Sequence, residues 1–442
     1  MTTCVESENP QIVTATFQLA VTLLDGGNMR VQRLFEAVLT TASSAPFFAR
    51  MYNIFLESKA AIKEQKRLLK EAETKRNALK KAGIVQRGDS MSASAHDSLA
   101  EGQLQIFEVL KMMRRMCMGQ YKELQDVLRR QPFNHTSIDF LSEAVSYLET
   151  LEPELTDALH RGDLKLVDGA VRGFLMLADA MHGPNSNNQT AIADTGILDL
   201  CDRIFARIRF DSDHDAGTLA QNLERGRLKS AALTCLTAFL EGTRNEVIPN
   251  QMLVLINWHG VAAQMQSCYK LYQEALGSGL HAHNDKVKQF AEACLREGIG
   301  YYFIMIHIQN YDRTNEFIGP VLKRARDDDE QMMHFYEQRK GYVEIVRHER
   351  LERVYFRLPP SCLPGGPIEN DESVRSTLYR AARNDFDKKN QTFIENMCSL
   401  VEREMYRDRI RNTSLAFTVT RWDLIRNINF QASAQNQTWA GG

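Results

Sequence analysis

The sequence has no CxxC pair, no Gly-rich phosphate loop, no HExxH and no nucleophile elbow. Its eight cysteines, Cys4, Cys117, Cys201, Cys235, Cys268, Cys294, Cys362 and Cys398, stand singly. Zinc and thiol-redox sites need cysteines at short fixed spacings, and disulfide frameworks belong to small secreted domains, so these read as reduced, structural residues of a cytosolic protein. The missing nucleotide-binding and hydrolase motifs argue against an enzyme. Charge of one sign is missing too: 54 basic residues face 56 acidic ones, a net charge of −2. No nucleic-acid or anionic-membrane partner is indicated by that balance. The longest apolar run, Ile299 to Ile308, is about half of the ~20 residues that a membrane helix needs. The opening MTTCVESENPQ lacks a basic stretch followed by an apolar core. Neither a transmembrane segment nor a signal peptide is expected.

What is present is helical periodicity, almost from end to end. Val13, Phe17, Ala20 and Leu24 share one face, and Asp25-Gly26-Gly27-Asn28 closes that helix. Helices are predicted from about Met29 to Leu39 and Phe47 to Lys81. The second half of the latter, KEQKRLLKEAETKRNALKK, is basic with scattered Glu. It reads as a solvated face with i to i+4 ion pairs, or as a site for an acidic lipid or a calmodulin-like partner. Ile84 to Ser98 is polar and aperiodic and reads as a linker. Beyond it the apolar stripes continue: Leu110, Met113 and Cys117; Leu124, Val127 and Leu128; Phe140, Val145 and Leu148; then Leu164, Val167, Val171, Phe174, Leu175 and Leu177. Further helices are predicted at Leu219 to Leu240, with Gly242 as stop, at Asp285 to Gln309 and at Arg313 to Gln338. No strict repeat period is visible. The expected fold is therefore mainly α, an irregular armadillo-like α-solenoid of helix pairs, each needing its neighbours to hide its apolar face.

One stretch breaks the pattern. In YVEIVRHERLERVYFRLP, Val343 and Ile345 alternate with Glu344, and Val354, Phe356 and Leu358 alternate with Tyr355 and Arg357. That is a half-buried antiparallel β-ribbon, with Val343, Ile345, Val354 and Phe356 expected on its packed face. Helix resumes from about Ser373 to Arg411. The expected organisation is an N-terminal helical segment (1–83), a linker (84–98), a helical domain (99–338), a ribbon-and-helix domain (339–412) and a C-terminal tail (413–442).

Candidate ligand clusters are weak. His281, His283 and Asp285 read better as an interhelical loop than as a metal site. In DSDHDAG, Asp211, Asp213 and Asp215 hold the first acidic positions of an EF-hand loop, but Ala216 stands where a Gly is needed and Asn222 where the closing Glu should be. Asp215 is expected to cap a helix instead. Asp327 to Glu330 read as a solvated face. Asp179 and His182, spaced i and i+3, read as a polar pair at a helix end.

The ribbon YVEIVRHERLERVYFRLPPSC resembles the short ribbon that precedes the membrane region in inositol trisphosphate and ryanodine receptors. Four other segments, in the same order as in that family, resemble it too: VTLLDGGNMRVQ, from Val21 to Gln32; QLQIFEVLKMMRRMCMGQYKELQDVLRRQ, from Gln103 to Gln131; FLMLADAMHGPNSNNQTAI, from Phe174 to Ile192; and CSLVEREMYRDR, from Cys398 to Arg409. The resemblance implies the receptor-homology-associated helical domain and the lateral β-containing region of a tetrameric calcium-release channel of the endoplasmic reticulum. It also implies a calcium site, at positions that here carry Met118 and Asp179. A thioether suits a hard cation poorly, whereas Asp keeps the carboxylate on a shorter stem.

These readings set the functional expectation. It is a cytosolic coupling region that does no chemistry, takes no obligatory cofactor and biases a pore not contained in this chain. Its partners would be the rest of a channel polypeptide or neighbouring subunits of a homotetramer. The Val343, Ile345, Val354 and Phe356 ribbon would be the coupling part, unless those residues only fill a local core. The competing reading is a soluble, cytoplasmic armadillo-like adaptor that binds protein partners.

Overall fold

The computed structural model describes residues 2–81, 93–212, 215–243, 246–277, 284–347, 350–358 and 363. The helices are α1 (Thr2–Val5), α2 (Pro10–Leu23), α3 (Met29–Leu39), α4 (Ala45–Lys81), α5 (Ala93–Met116), α6 (Lys122–Arg129), α7 (Phe140–Arg161), α8 (Leu164–Met181), α9 (Ser186–Ala193), α10 (Ile197–Arg207), α11 (Ala216–Leu240), α12 (Val247–Leu255), α13 (Trp258–Gly277), α14 (Asp285–Gln309), α15 (Ile318–Asp328) and α16 (Glu330–Gln338). They are followed by a two-stranded hairpin, β1 (Lys340–Arg347) and β2 (Arg350–Arg357). Among the described residues the protein is mainly α with one small sheet, as its periodicity implies.

Packing proceeds helix to helix. α2 lies on α5, α5 on α8, α8 on α11, α11 on α14 and α14 on α13, while α4 and α7 line the first half of this row. Aromatic rings stitch α2, α4 and α7 together: Phe17 meets Phe47 at 6.0 Å, Phe48 meets Phe140 at 5.8 Å, and Phe55 meets Tyr147 edge-on at 6.2 Å. Such pairs add about 0.5–1.5 kcal/mol each beyond their buried area. α8 seats closely on α7 because Gly173 leaves room for Leu148; a Cβ there would lie 2.8 Å from its Cδ2.

Caps explain many of the boundaries. Asn28, Asp215 and Asn284 accept from the first backbone N–H groups of α3, α11 and α14, so each helix starts where its cap satisfies an orphan donor. Asp215 thus caps a helix, as its sequence context suggests; Asp213 lies outside the described residues.

α5 begins at Ala93, inside the stretch expected as a linker, where helix-favouring residues such as Ala93 and Ala95 extend a helix anchored further along by its buried stripe; residues 84–92 lie outside the described residues. α2 and α4, from the expected 1–83 segment, pack on α5, and α4 also on α7. One expected element needs correction. The single helix expected from Arg313 to Gln338 is two. Asp312 accepts from the backbone N–H groups of Glu316, Phe317 and Ile318, so the helix cannot start before Ile318. Asp329 leaves the helical conformation and accepts from Met332 N–H at 2.8 Å, capping α16. His281, His283, the Ser373–Arg411 helix and the tail lie outside the described residues.

Met1–Tyr336 with Val343–Val354 form one compact unit, which therefore includes the tip of the ribbon. Glu337–Tyr342 and the described residues from Tyr355 to Leu358 belong to a second. Within that second unit Tyr342 and Tyr355 meet at 6.4 Å, and Leu358 N–H donates to the Arg339 carbonyl at 2.9 Å.

Candidate coupling site at the helix ends

A helix end leaves up to four carbonyls without intrahelical partners, and a buried end must find donors for them. Three helices of the row solve this with buried amide side chains. Gln32, 1% exposed, donates from Nε2 to the carbonyls of Met116 and Met118 at 3.2 and 2.7 Å, closing α5. Gln125 donates to the carbonyls of Asp179 and His182 at 2.9 and 2.8 Å, and Asn188 to that of Ala180 at 3.0 Å, closing α8. Gln189 donates to Ala238 and Glu241 at 2.8 and 2.9 Å, closing α11. These are the polar residues of the GGNMRVQ, ELQ and NSNNQT stretches. Their task is therefore structural: they hold the ends of α5, α8 and α11 in fixed register.

Charged residues join these ends to one another. Arg114 Nε lies 2.6 Å from Asp179 Oδ2, tying α5 to α8. His182 Nδ1 lies 2.8 Å from Glu241 Oε2, tying α8 to α11, and Gly183 N–H also donates to that oxygen at 3.3 Å. Helix C-termini carry partial negative charge, so Arg114 and His182 also complement the helix dipoles.

The ribbon tip attaches to the end of α11. Arg347 Nη2 approaches Glu241 Oε1 at 3.4 Å, Arg347 Nη1 approaches Glu352 Oε2 at 3.6 Å, and the Gly242 N–H donates to Glu352 Oε1 at 3.1 Å. Gly242 has φ +57°, and a Cβ there would meet Arg347 Nη1 at 2.6 Å and crowd Pro184. Only glycine accommodates both the left-handed turn and the guanidinium. Glu241 sits at the centre of the junction. Burial works against its charge, but the His182 hydrogen bond, Gly183 N–H and Arg347 outweigh that and hold its carboxyl below the usual range. The same hydrogen bond to Glu241 raises the pKa of His182 above its ordinary value despite partial burial.

The residues singled out by sequence fare unequally. Asp179 and His182, expected as a polar pair, each find their main partner on another helix. At the calcium positions implied by resemblance, Asp179 is engaged by the Arg114 guanidinium, and the Met118 thioether accepts from Arg115 Nη1 at 2.8 Å. Among the described residues no group of three or more His, Cys, Asp or Glu is placed to hold a metal ion. The ribbon residues differ from expectation more sharply: Val343 is 48% exposed, Val354 37% and Phe356 41%, and Ile345 is half-buried. The tip is held by ion pairs, which leaves its apolar side chains accessible. The partnership of Glu241 with His182 and Arg347 was invisible to sequence reading; the only signal was a Gly stop following an acidic residue.

Residues 101–205 match the family described as "RyR and IP3R Homology associated", that is, a domain named for ryanodine and inositol trisphosphate receptors. The matched segment begins within α5 and runs into α10, so it contains Met118, Gln125, Asp179, His182, Asn188 and Gln189. α11 and the ribbon lie beyond it.

Proposed function

We propose that this chain is the cytosolic coupling region of an intracellular calcium-release channel of the inositol trisphosphate or ryanodine receptor kind, passing conformational change toward a pore outside the residues described. The observation that carries this reading is the junction at Glu241, where His182 of the matched segment and Arg347 of the ribbon tip hold the same carboxylate. A shift of α8 relative to α11 would change the hold on the ribbon, because one carboxylate serves both partners. Rigid helices with fixed ends and an ion-paired joint are suited to relaying displacement, and the role needs no catalysis or cofactor. The working place would be the cytosolic face of the endoplasmic reticulum, within a homotetramer.

No helix among the described residues is long and apolar enough to cross a membrane. Membrane association would therefore run through the rest of a channel polypeptide or through neighbouring subunits. Immunoblotting of membrane and soluble fractions tests this directly. The expected result is a membrane-bound band much larger than 50.4 kDa, or a 50.4 kDa band that sediments with a larger membrane complex. A freely soluble band of that mass would replace the coupling reading by a detached adaptor.

A further inference from the structure

Where α10 runs out into residues 208–212, a cavity of about 410 Å³ opens, bounded also by α7, α11 and α13. Its wall brings together Arg207, Arg209, Arg225 and His160 from three stretches of the chain, against Asp211 as the one carboxylate among the described lining residues. Arg225 is the unusual member. Only 5% of it is exposed, and its guanidinium donates from Nη1 to the neutral Asn222 side-chain oxygen at 2.8 Å, with no carboxylate among the described residues within ion-pair distance. Burial pulls its pKa down, with Asp211 the opposing influence.

A buried cation without a paired anion is costly, and this protein elsewhere avoids that cost: the fully buried Lys229 sits 3.1 Å from Glu297. Arg209 is in a similar position at the surface, donating from Nε to the Ala206 carbonyl at 3.2 Å. Arg207 already serves Glu152 at 2.6 Å and adds long-range field more than a free fork. Asp211 acts on Arg225 through its charge, and its backbone carbonyl accepts from Asn222 Nδ2 at 2.8 Å.

We propose that this cavity binds a phosphate-bearing small molecule, with Arg225 as its buried anchor and Arg209 as a second guanidinium. Two forks arriving from separate elements suit the several oxygens of a phosphate, whereas a carboxylate offers only two in one plane. The volume is that of a small-molecule site, larger than one inorganic phosphate needs, and Leu159 and Leu271 supply an apolar wall for the remainder of the ligand. The site is separate from the helix-end junction and does not depend on the coupling role.

Calorimetric titration of the full chain with inorganic pyrophosphate tests the proposal, with inositol-free phosphatidylcholine vesicles and vesicles containing a phosphoinositide as further probes. Saturable pyrophosphate binding is expected, weakened at least about tenfold by Arg225→Met, since a charge-assisted hydrogen bond contributes about 1.5–3 kcal/mol. Arg209→Ala, at an exposed position, guards against a folding defect in the first variant and should also weaken binding. Co-sedimentation with phosphoinositide vesicles alone, competed away by pyrophosphate, would identify a lipid headgroup as the source of the phosphate. Pyrophosphate binding without vesicle binding would identify a soluble ligand. The proposal is overturned if the unaltered chain shows no saturable binding, or if both variants bind as it does.

Discussion

His182 and Glu241, 59 positions apart, meet at 2.8 Å between Nδ1 and Oε2 and join the ends of α8 and α11. The histidine's pKa is raised in the folded chain, so its contribution to stability is full below its unfolded value of about 6.5 and is lost as pH rises through the folded value. Glu241, held low, contributes above its unfolded value and loses that contribution only as pH falls through the lowered one. The joint is therefore firmest from the histidine's unfolded value down to the carboxylate range, and loosens as pH rises through the histidine's raised value. Hydrogen exchange of the ribbon-tip amides should quicken, beyond the intrinsic base catalysis, as pH rises from 6 to 8 in about that range, and His182→Gln should remove the excess. An unchanged pH profile in that variant would refute the linkage.

Gly242→Ala tests the same joint from its backbone. A residue with a side chain at φ +57° costs about 1 kcal/mol, and here the added carbon also crowds Pro184 and Arg347. The expected total is about 1–3 kcal/mol, with faster exchange at 343–347 and 350–354 than in α5 or α7. Uniform destabilisation of all helices would show that the turn serves the fold and not the tip.

The Lys229–Glu297 pair has both partners buried, and the ammonium lies 4.5 Å from the Phe210 ring centroid. Lys229→Met should cost about 3–5 kcal/mol by leaving a carboxylate unpaired, while adding Glu297→Leu should restore much of the loss. Burial raises the Glu297 pKa to about 7, despite Lys229. A raised carboxylate pKa favours the fold at low pH and loses that benefit as pH climbs from about 4.5 to about 7. Glu297→Gln should flatten that part of the stability curve in thermal melts.

Much of this architecture could be read from the chain because helix boundaries are local. Asn28, Asn284 and Gln309 mark ends that a 3.6-residue period and a cap reveal directly. The break at Asp329 was hidden because the Asp327–Glu330 run is compatible with a helix, and its cap appears only once Met332 N–H turns back to it. The junction and the cationic cavity were hidden for a different reason. Glu241 with Arg347, and Arg209 with Arg225, come from separate elements, and no spacing rule reports which helix ends or faces the packing will bring together. The ribbon itself was visible in its alternation, but alternation does not say whether the apolar face is covered.

Asp179, the position where resemblance implies a calcium ligand, gives a prediction of absence that can be measured. Arg114 already supplies a positive charge 2.6 Å from Asp179, and Met118 offers a soft sulfur where a hard cation needs oxygen. Calcium titration of the chain should show no site that Asp179→Asn removes. The substitution should instead cost about 0.5–1 kcal/mol through the partly exposed ion pair. Tight calcium binding abolished by Asp179→Asn would reverse this reading.

The exposed ribbon separates a coupling surface from a local core. Val343 and Val354 are 48% and 37% accessible, so replacing both with Ala removes little buried area and should shift stability by less than about 1 kcal/mol. If the tip transmits displacement, it must press on something, and accessible valines are the groups available to do so. The double variant should therefore melt like the unaltered chain yet, if the proposed membrane-bound complex forms, dissociate from it more readily in native gels. A large fall in melting temperature would return these residues to a core role. Normal melting with an intact complex would mean that Arg347 and Glu352, and not the apolar face, carry the contact.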